Sequence, residues 1–224
     1  MKKRYRSKWN GRTNYNNNQY IMKECISLPH PIEPKDIKQI LNKIRGKPRD
    51  RAMILILLRT GMRICELLST KIQDINLRER KILIFESAKN RIGRVAYLSE
   101  DARIALGKWI KIRNQKTDYL FYGHRGRPLS YEAARSVFKK YSEKAGLSQK
   151  GYTLHCLRHT FASELLSAGM PIESLQYLMG HSSIVVTRRY ARLSNIALEN
   201  DYFSAMQKIE RGETDGLDGN DYEI

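Results

Sequence analysis

Apolar residues recur at helical spacing along most of the chain. From Pro34, Ile37, Ile40, Leu41 and Ile44 define one helical face, and Gly46-Lys47-Pro48 stops it. A second helix is expected over residues 49–59. Its residues 52–58 are apolar almost all round, which predicts burial on every side. Thr60-Gly61 breaks that helix, and a third, short one from about residue 62 carries Arg63, Glu66 and Leu67; Arg63 and Glu66, three apart, share a face. Residues 81–85 and 94–98 are strand-like runs. The segment ESAKNRIG between them reads as a hairpin turn with Lys89 near its tip. Ser99 is placed to cap a helix to about residue 113 with Ile104, Leu106, Trp109 and Ile112 apolar, residues 119–122 suggest a further short strand, and Ser130 caps a helix closed by Gly146.

Thr153 caps the next helix. Leu154, Leu157, Phe161 and Leu165 form its apolar stripe, and His155, Arg158, His159 and Ala162 follow the same spacing on an adjacent one. Gly169 ends it, Pro171 opens another helix to about residue 179, and Gly180-His181 turns the chain into a short helix over 183–189, just before Tyr190. A last helix over about 197–209 offers Leu198, Tyr202, Ala205, Met206 and Ile209 as an apolar face. The pattern predicts a mainly α domain over residues 29–209 with a small antiparallel β-sheet, an α+β arrangement. Residues 1–28 and 210–224 lack periodicity and are expected to be a basic flexible arm and an acidic disordered tail.

Charge and composition narrow the partners. The chain carries 41 Lys+Arg against 23 Asp+Glu, a formal +18. The first 23 residues hold +7 and the last 15 hold −5, so the middle keeps +16, and an excess of that size on the folded part favours a polyanion. Neither a run of 18 apolar residues nor an apolar N-terminal segment is present, so neither a membrane span nor a secretory signal is expected, and a soluble, cytoplasmic protein is. Cys25, Cys65 and Cys156 make an odd set without Cys-x-x-Cys spacing, against a disulfide framework or a thiolate zinc site. His155 and His159 have zinc-ligand spacing, but Cys156 stands where a metalloprotease helix needs Glu, so no metal is expected.

The polar residues left over match what metal-free cleavage of a phosphodiester requires: a nucleophile whose phosphoester is reversible, cations on the non-bridging oxygens, and an acid for the departing sugar oxygen. A phenol with pKa ~10 costs roughly 4 kcal/mol to ionise at neutral pH, within reach of two arginines and histidines around one phosphate. The departing sugar oxygen must be protonated, and a lysine suits that role because it can lose and regain its proton where arginine cannot. Arg63, Lys89, His155, Arg158, His181 and Tyr190 supply these roles in number and type. Taken singly, each has an ordinary alternative: a surface ion pair for Arg63 with Glu66, a solvated hairpin charge for Lys89, a helix cap for His181, a packed aromatic for Tyr190.

Their order decides between these readings. TGMRICELL, GYTLHCLRHTFASELLSAG, LQYLMGHSSIVVTRRYARLS and the hairpin between them resemble the tyrosine recombinase (integrase) family, over a span from about residue 30 to residue 204. The resemblance implies that fold and a site-specific recombinase that cuts and rejoins duplex DNA through a 3′-phosphotyrosine, with no cofactor. It implies that Arg63 and Arg158 bind the scissile phosphate, His155 is a proton-transfer partner, His181 hydrogen-bonds a phosphate oxygen, Lys89 is the general acid and Tyr190 the nucleophile. Glu66 would fix the first arginine, and His159 would be structural. Lys2, Lys3, Arg4, Arg6, Arg91, Arg94, Arg188 and Arg189 are further candidate DNA contacts. Two departures stand out: the family's Gly-Lys-Gly-like hairpin is Ala88-Lys89-Asn90 here, and the separate helical DNA-binding domain that usually precedes this one is replaced by the basic arm. A naturally minimal recombinase and a catalytic fragment both fit, with an accessory DNA-binding protein as a further partner. Assembly is expected as a tetramer on DNA through the C-terminal helix. A topoisomerase of type IB and a non-catalytic DNA-binding protein are the rival functions.

Overall fold

The computed structural model describes residues 31–86, 91–115, 117–180 and 195–212. Prolines open the first two helices, α1 (Pro34–Lys43) and α2 (Pro48–Thr60), where their fixed φ is already helical and the missing N–H has no partner to lose. α2 is the central rod of the fold. Its residues 52–60 are all buried, including Arg59 and Thr60, and it packs against both α4 (Glu100–Ile112) and α6 (Leu154–Ser167). α3 (Ile64–Ser69) follows at once. Its first helical residue is Ile64, so Arg63 caps the helix rather than lying within it.

The sheet is three-stranded and antiparallel in the order β1 (Ile75–Asn76), β2 (Lys81–Glu86), β3 (Arg91–Tyr97). Strand β3 begins at Arg91, three residues ahead of the expected start at Arg94, and a register shift falls between Ile84 and Phe85. Ala96 and Leu98 are buried, and Arg94 falls on the same inward register. Residues 119–122 make only isolated bridges, Lys71 to Tyr119 and Tyr122 to Pro128, and form no strand.

Helix α4 rotates its apolar face away from the expected one. Ala102, Ala105, Leu106 and Trp109 are buried at ideal helical spacing, while Ile112 is 63% exposed. Two alanines outrank an isoleucine there because their small side chains allow α4 to lie close against α2. Helix α5 (Tyr131–Lys144) starts at Ser130, whose hydroxyl accepts from the Ala133 N–H at 3.1 Å. Helices α6, α7 (Ile172–Met179) and α8 (Asn195–Glu210) complete the chain order. The expected helix over 183–189, the arm and the tail beyond residue 212 lie outside the described residues.

Among the described residues, two apolar clusters make up the core. The larger joins α1, α2, the sheet, α4, α5 and the start of α6. The second gathers Tyr97, Phe161, Leu165, Leu175, Leu178 and Met179 around Tyr202, Ala205, Met206 and Ile209 of α8. The apolar face of α8 thus folds onto its own chain. Its anchor is Tyr202, fully buried, whose hydroxyl donates to the Arg59 carbonyl at 2.8 Å.

Arg59 ties the layers together by charge as well. Its side chain is 1% exposed and donates to Asp101 of α4 at 3.2 Å and Glu164 of α6 at 3.1 Å. Removing a buried cation between two buried carboxylates leaves both uncompensated, so Arg59→Ala should lower unfolding free energy by about 3–5 kcal/mol in denaturant titrations. A second expectation concerns alkali. Burial, and then the bond its hydroxyl donates to Asp50, raise the Tyr141 phenol to about 12 from 10.0. The unfolded chain ionises this group first, so its contribution is intact below pH 10 and is lost between pH 10 and about 12. The melting temperature of Tyr141→Phe should therefore fall less steeply across that window than that of the wild type.

Candidate active site

Helix α2 ends at Gly61, in the left-handed conformation with φ 59°. A Cβ there would stand 2.2 Å from Cδ1 of Phe161, so glycine alone lets the end of α2 press against α6. That approach brings the Gly61 carbonyl within reach of Arg158, whose Nη1 donates to it although the arginine is 5% exposed.

Two residues later Arg63 caps α3. Its backbone N–H donates to Glu66 Oε2 at 2.7 Å and its Nη1 donates to Glu66 Oε1 at 3.0 Å. The sequence pair is therefore a capping arrangement that also aims the guanidinium. The remaining Nη2 of Arg63 reaches the carbonyl of Gly180 at 2.9 Å.

The site converges on the C-terminal end of α7, where the terminal carbonyls carry the negative end of the helix dipole. Arg94 Nη1 donates to the Leu178 carbonyl at 2.6 Å, Arg158 Nη2 to that of Met179, and Arg63 Nη2 to that of Gly180. Three consecutive carbonyls are thus held by guanidiniums from β3, α6 and the start of α3. Gly180, with φ 60°, closes α7 in the left-handed conformation.

Arg94, one of the candidate DNA contacts, faces inward. It is 7% exposed and donates through Nη2 to Glu66 Oε2 at 2.6 Å. The signal lies in the strand alternation, because Arg94 shares its register with the buried Ala96 and Leu98 and an arginine there needs a buried acceptor. Gly61 and Gly180, which read as punctuation in the sequence, are required by close contacts that spacing does not reveal.

Charge is unbalanced in this cluster. Three guanidiniums face one carboxylate, and burial first, then repulsion by Arg63 and Arg94, lower Arg158 to about 10. An anion bound here would relieve that repulsion. His155 is exposed and its ring meets that of His159 edge-on at 4.4 Å. Burial, with the positive potential of His155 and Arg158 added, lowers the His159 pKa and favours its neutral form. The structure brings together Arg63, Glu66 and Arg158 at the end of α7, with His155 one turn from Arg158 on α6. Lys89, His181, Tyr190, Lys2, Lys3, Arg4, Arg6, Arg188 and Arg189 lie outside the described residues, as does the side chain of Arg91.

Comparison with known proteins places this arrangement. The tyrosine recombinase XerC of Roseiflexus castenholzii is 33% identical over 181 residues, covering 75% of this chain and 56% of the relative. The tyrosine recombinase XerA of Pyrococcus horikoshii is 32% identical over 171 residues, covering 75% of this chain and 58% of the relative. The chain therefore spans less than two thirds of the length of these relatives. Among solved structures, XerA recombinase superposes with a TM-score of 0.63 at 30% identity, over 79% of this chain and 65% of that one. XerH site-specific recombinase bound to its difH substrate gives 0.61 at 26% identity, over 77% and 53%. The model of the phage integrase family matches residues 31–195, the stretch that holds both paired arginines and the helix end they grip, and the chain belongs to that family.

Proposed function

We propose that this chain is the catalytic domain of a site-specific recombinase that cuts and rejoins duplex DNA through a 3′-phosphotyrosine at Tyr190. The observation that carries the reading is the pairing of Arg63 and Arg158 on adjacent carbonyls of one helix end, although 95 positions separate them in sequence. Two cations so placed fit the two non-bridging oxygens of one phosphodiester, and the surplus positive charge around Arg158 favours such an anion. The relatives support the substrate class, since XerH was solved bound to its difH substrate and the Tn1549 transposon integrase with circular intermediate DNA.

In this mechanism the Tyr190 oxygen attacks phosphorus and the bond to the 5′ oxygen breaks. Lys89 gives its proton to that oxygen, and His155 accepts the phenolic proton. His181, adjoining the Gly180 carbonyl that Arg63 holds, donates to a phosphate oxygen. Attack by the 5′ hydroxyl of another strand reverses each transfer, so the phosphoester energy is conserved and no nucleotide is consumed. The hydrogen bonds that Arg63 and Arg158 make to carbonyls keep both guanidiniums oriented before substrate arrives, which removes reorganisation from the barrier. The basic arm residues Lys2, Lys3, Arg4 and Arg6 take no part in this chemistry and serve instead to hold the duplex.

Assembly as a tetramer on DNA belongs to the same reading. Its contact through α8 would need either the solvent face of that helix or release of Tyr202 from the core.

A nicked suicide duplex carrying the target site tests the chemistry. Wild type should form a covalent adduct on a denaturing gel and Tyr190→Phe none, while Arg158→Ala should slow cleavage by roughly 10²–10³-fold. Absence of any wild-type adduct would reject the reading, and relaxation without exchange between two sites would point to a topoisomerase. Deleting residues 1–23 should lower the slope of log affinity against log salt by about 0.9 for each arm cation that touches a phosphate. An unchanged slope would leave the arm off the DNA.

A further inference from the structure

We infer that Arg94 is a positioning residue that ties strand β3, α3 and the end of α7 together and thereby holds the Glu66 carboxylate that aims Arg63; this rests on the function proposed above. Its side chain leaves β3, donates to the Leu178 carbonyl of α7 at 2.6 Å and to Glu66 of α3 at 2.6 Å, and is 6% exposed. It therefore joins three elements through one guanidinium. Strand β3 is thereby pinned to the side of the site where Arg63 and Arg158 meet the end of α7.

The contacts around Arg94 leave it little freedom. Glu66 divides its carboxylate: Oε1 accepts from Arg63 Nη1, while Oε2 accepts both the Arg63 backbone N–H and Arg94 Nη2. Arg94 thus fixes the carboxylate that aims Arg63. On its other side it packs beneath Gly180, where a Cβ would stand 2.8 Å from Arg94 Nε and 2.9 Å from Cδ. The residue before His181 is glycine partly because Arg94 occupies the space a side chain would need. No charge other than guanidinium satisfies this geometry, since the two acceptors are on different helices and a planar fork spans them where an ammonium offers a single point.

Arg94 is bonded to the Glu66 carboxylate as well as to a backbone carbonyl, whereas both Nη atoms of Arg158 donate only to backbone carbonyls, so the charge of Arg94 is answered within the protein and that separates it from Arg158. Arg94→Met and Arg94→Lys should reduce the single-turnover cleavage rate constant on the suicide duplex by about 10–100-fold, as expected for misplacement on the ångström scale. The DNA concentration at half-saturation should stay within about twofold of wild type, because phosphate grip elsewhere is unchanged. A merely unstable variant would lose reaction amplitude and keep its rate constant. Wild-type rates in Arg94→Met, full recovery in Arg94→Lys, or parallel loss of rate and affinity would each overturn the inference.

A second measurement is independent of catalysis. In the protein without DNA, amide hydrogen exchange in residues 175–180 should be about tenfold faster in Arg94→Met, with α2 unchanged. Should wild type form no adduct, the recombinase reading fails, and this exchange alone decides whether Arg94 ties α7: unchanged protection at the end of α7 refutes the tie.

Discussion

The three carbonyls that close α7 are the point on which the rest of the site depends. A helix end of this kind needs positive partners, and water normally supplies them. Here arginines do, and each comes from a different element: Arg94 from β3, Arg158 from α6, Arg63 from the cap of α3. One dipole end therefore gathers groups that the chain order keeps apart. Glu66 sets the balance, because a single carboxylate bonded to Arg63 and Arg94 lets three guanidiniums coexist while leaving surplus positive charge for an anion.

The scaffold makes that convergence possible through α2. It is buried along residues 52–60, and its C-terminal end serves two purposes. Arg59 bonds Asp101 and Glu164, fixing α4 and α6 against it. Immediately after, Gly61 lets Phe161 approach within distances no side chain would tolerate, which sets the height of Arg158 relative to Arg63. Packing and site geometry are consequently one problem over residues 59–63.

Much of this is legible in the sequence, and the reasons differ by residue. The helices over 34–43 and 48–60 follow from period and proline, and the stripe of Leu154, Leu157, Phe161 and Leu165 is buried as its spacing predicts. Arg63, Glu66 and Arg158 can be singled out because their order matches a family pattern. What spacing does not reveal is competition for burial. Ala102 and Ala105 displace Ile112 from the face of α4 because closeness to α2, not side-chain size, decides that contact. Arg94 reads as one more surface cation since net charge says nothing about which cation faces inward; only strand alternation hints at it. The residues around Tyr119 and Tyr122 read as a strand, and form only bridges, because aromatic residues favour strands whether or not a neighbour pairs with them.

The seat of α8 has a thermodynamic consequence. Tyr202, Ala205, Met206 and Ile209 fill a groove built from the chain's own Tyr97, Phe161 and Leu178. Any exchange of that helix between identical copies replaces each contact with the same contact, so the enthalpy of seating cancels and only entropy and linker strain distinguish the two arrangements. A tethered segment sees its own groove at an effective concentration on the order of millimolar, far above that of free protein in dilute solution. Self-seating is then the ground state of an isolated copy. A surface that held several copies side by side would raise the competing local concentration to the same order, converting a static packing contact into a sensor of neighbours.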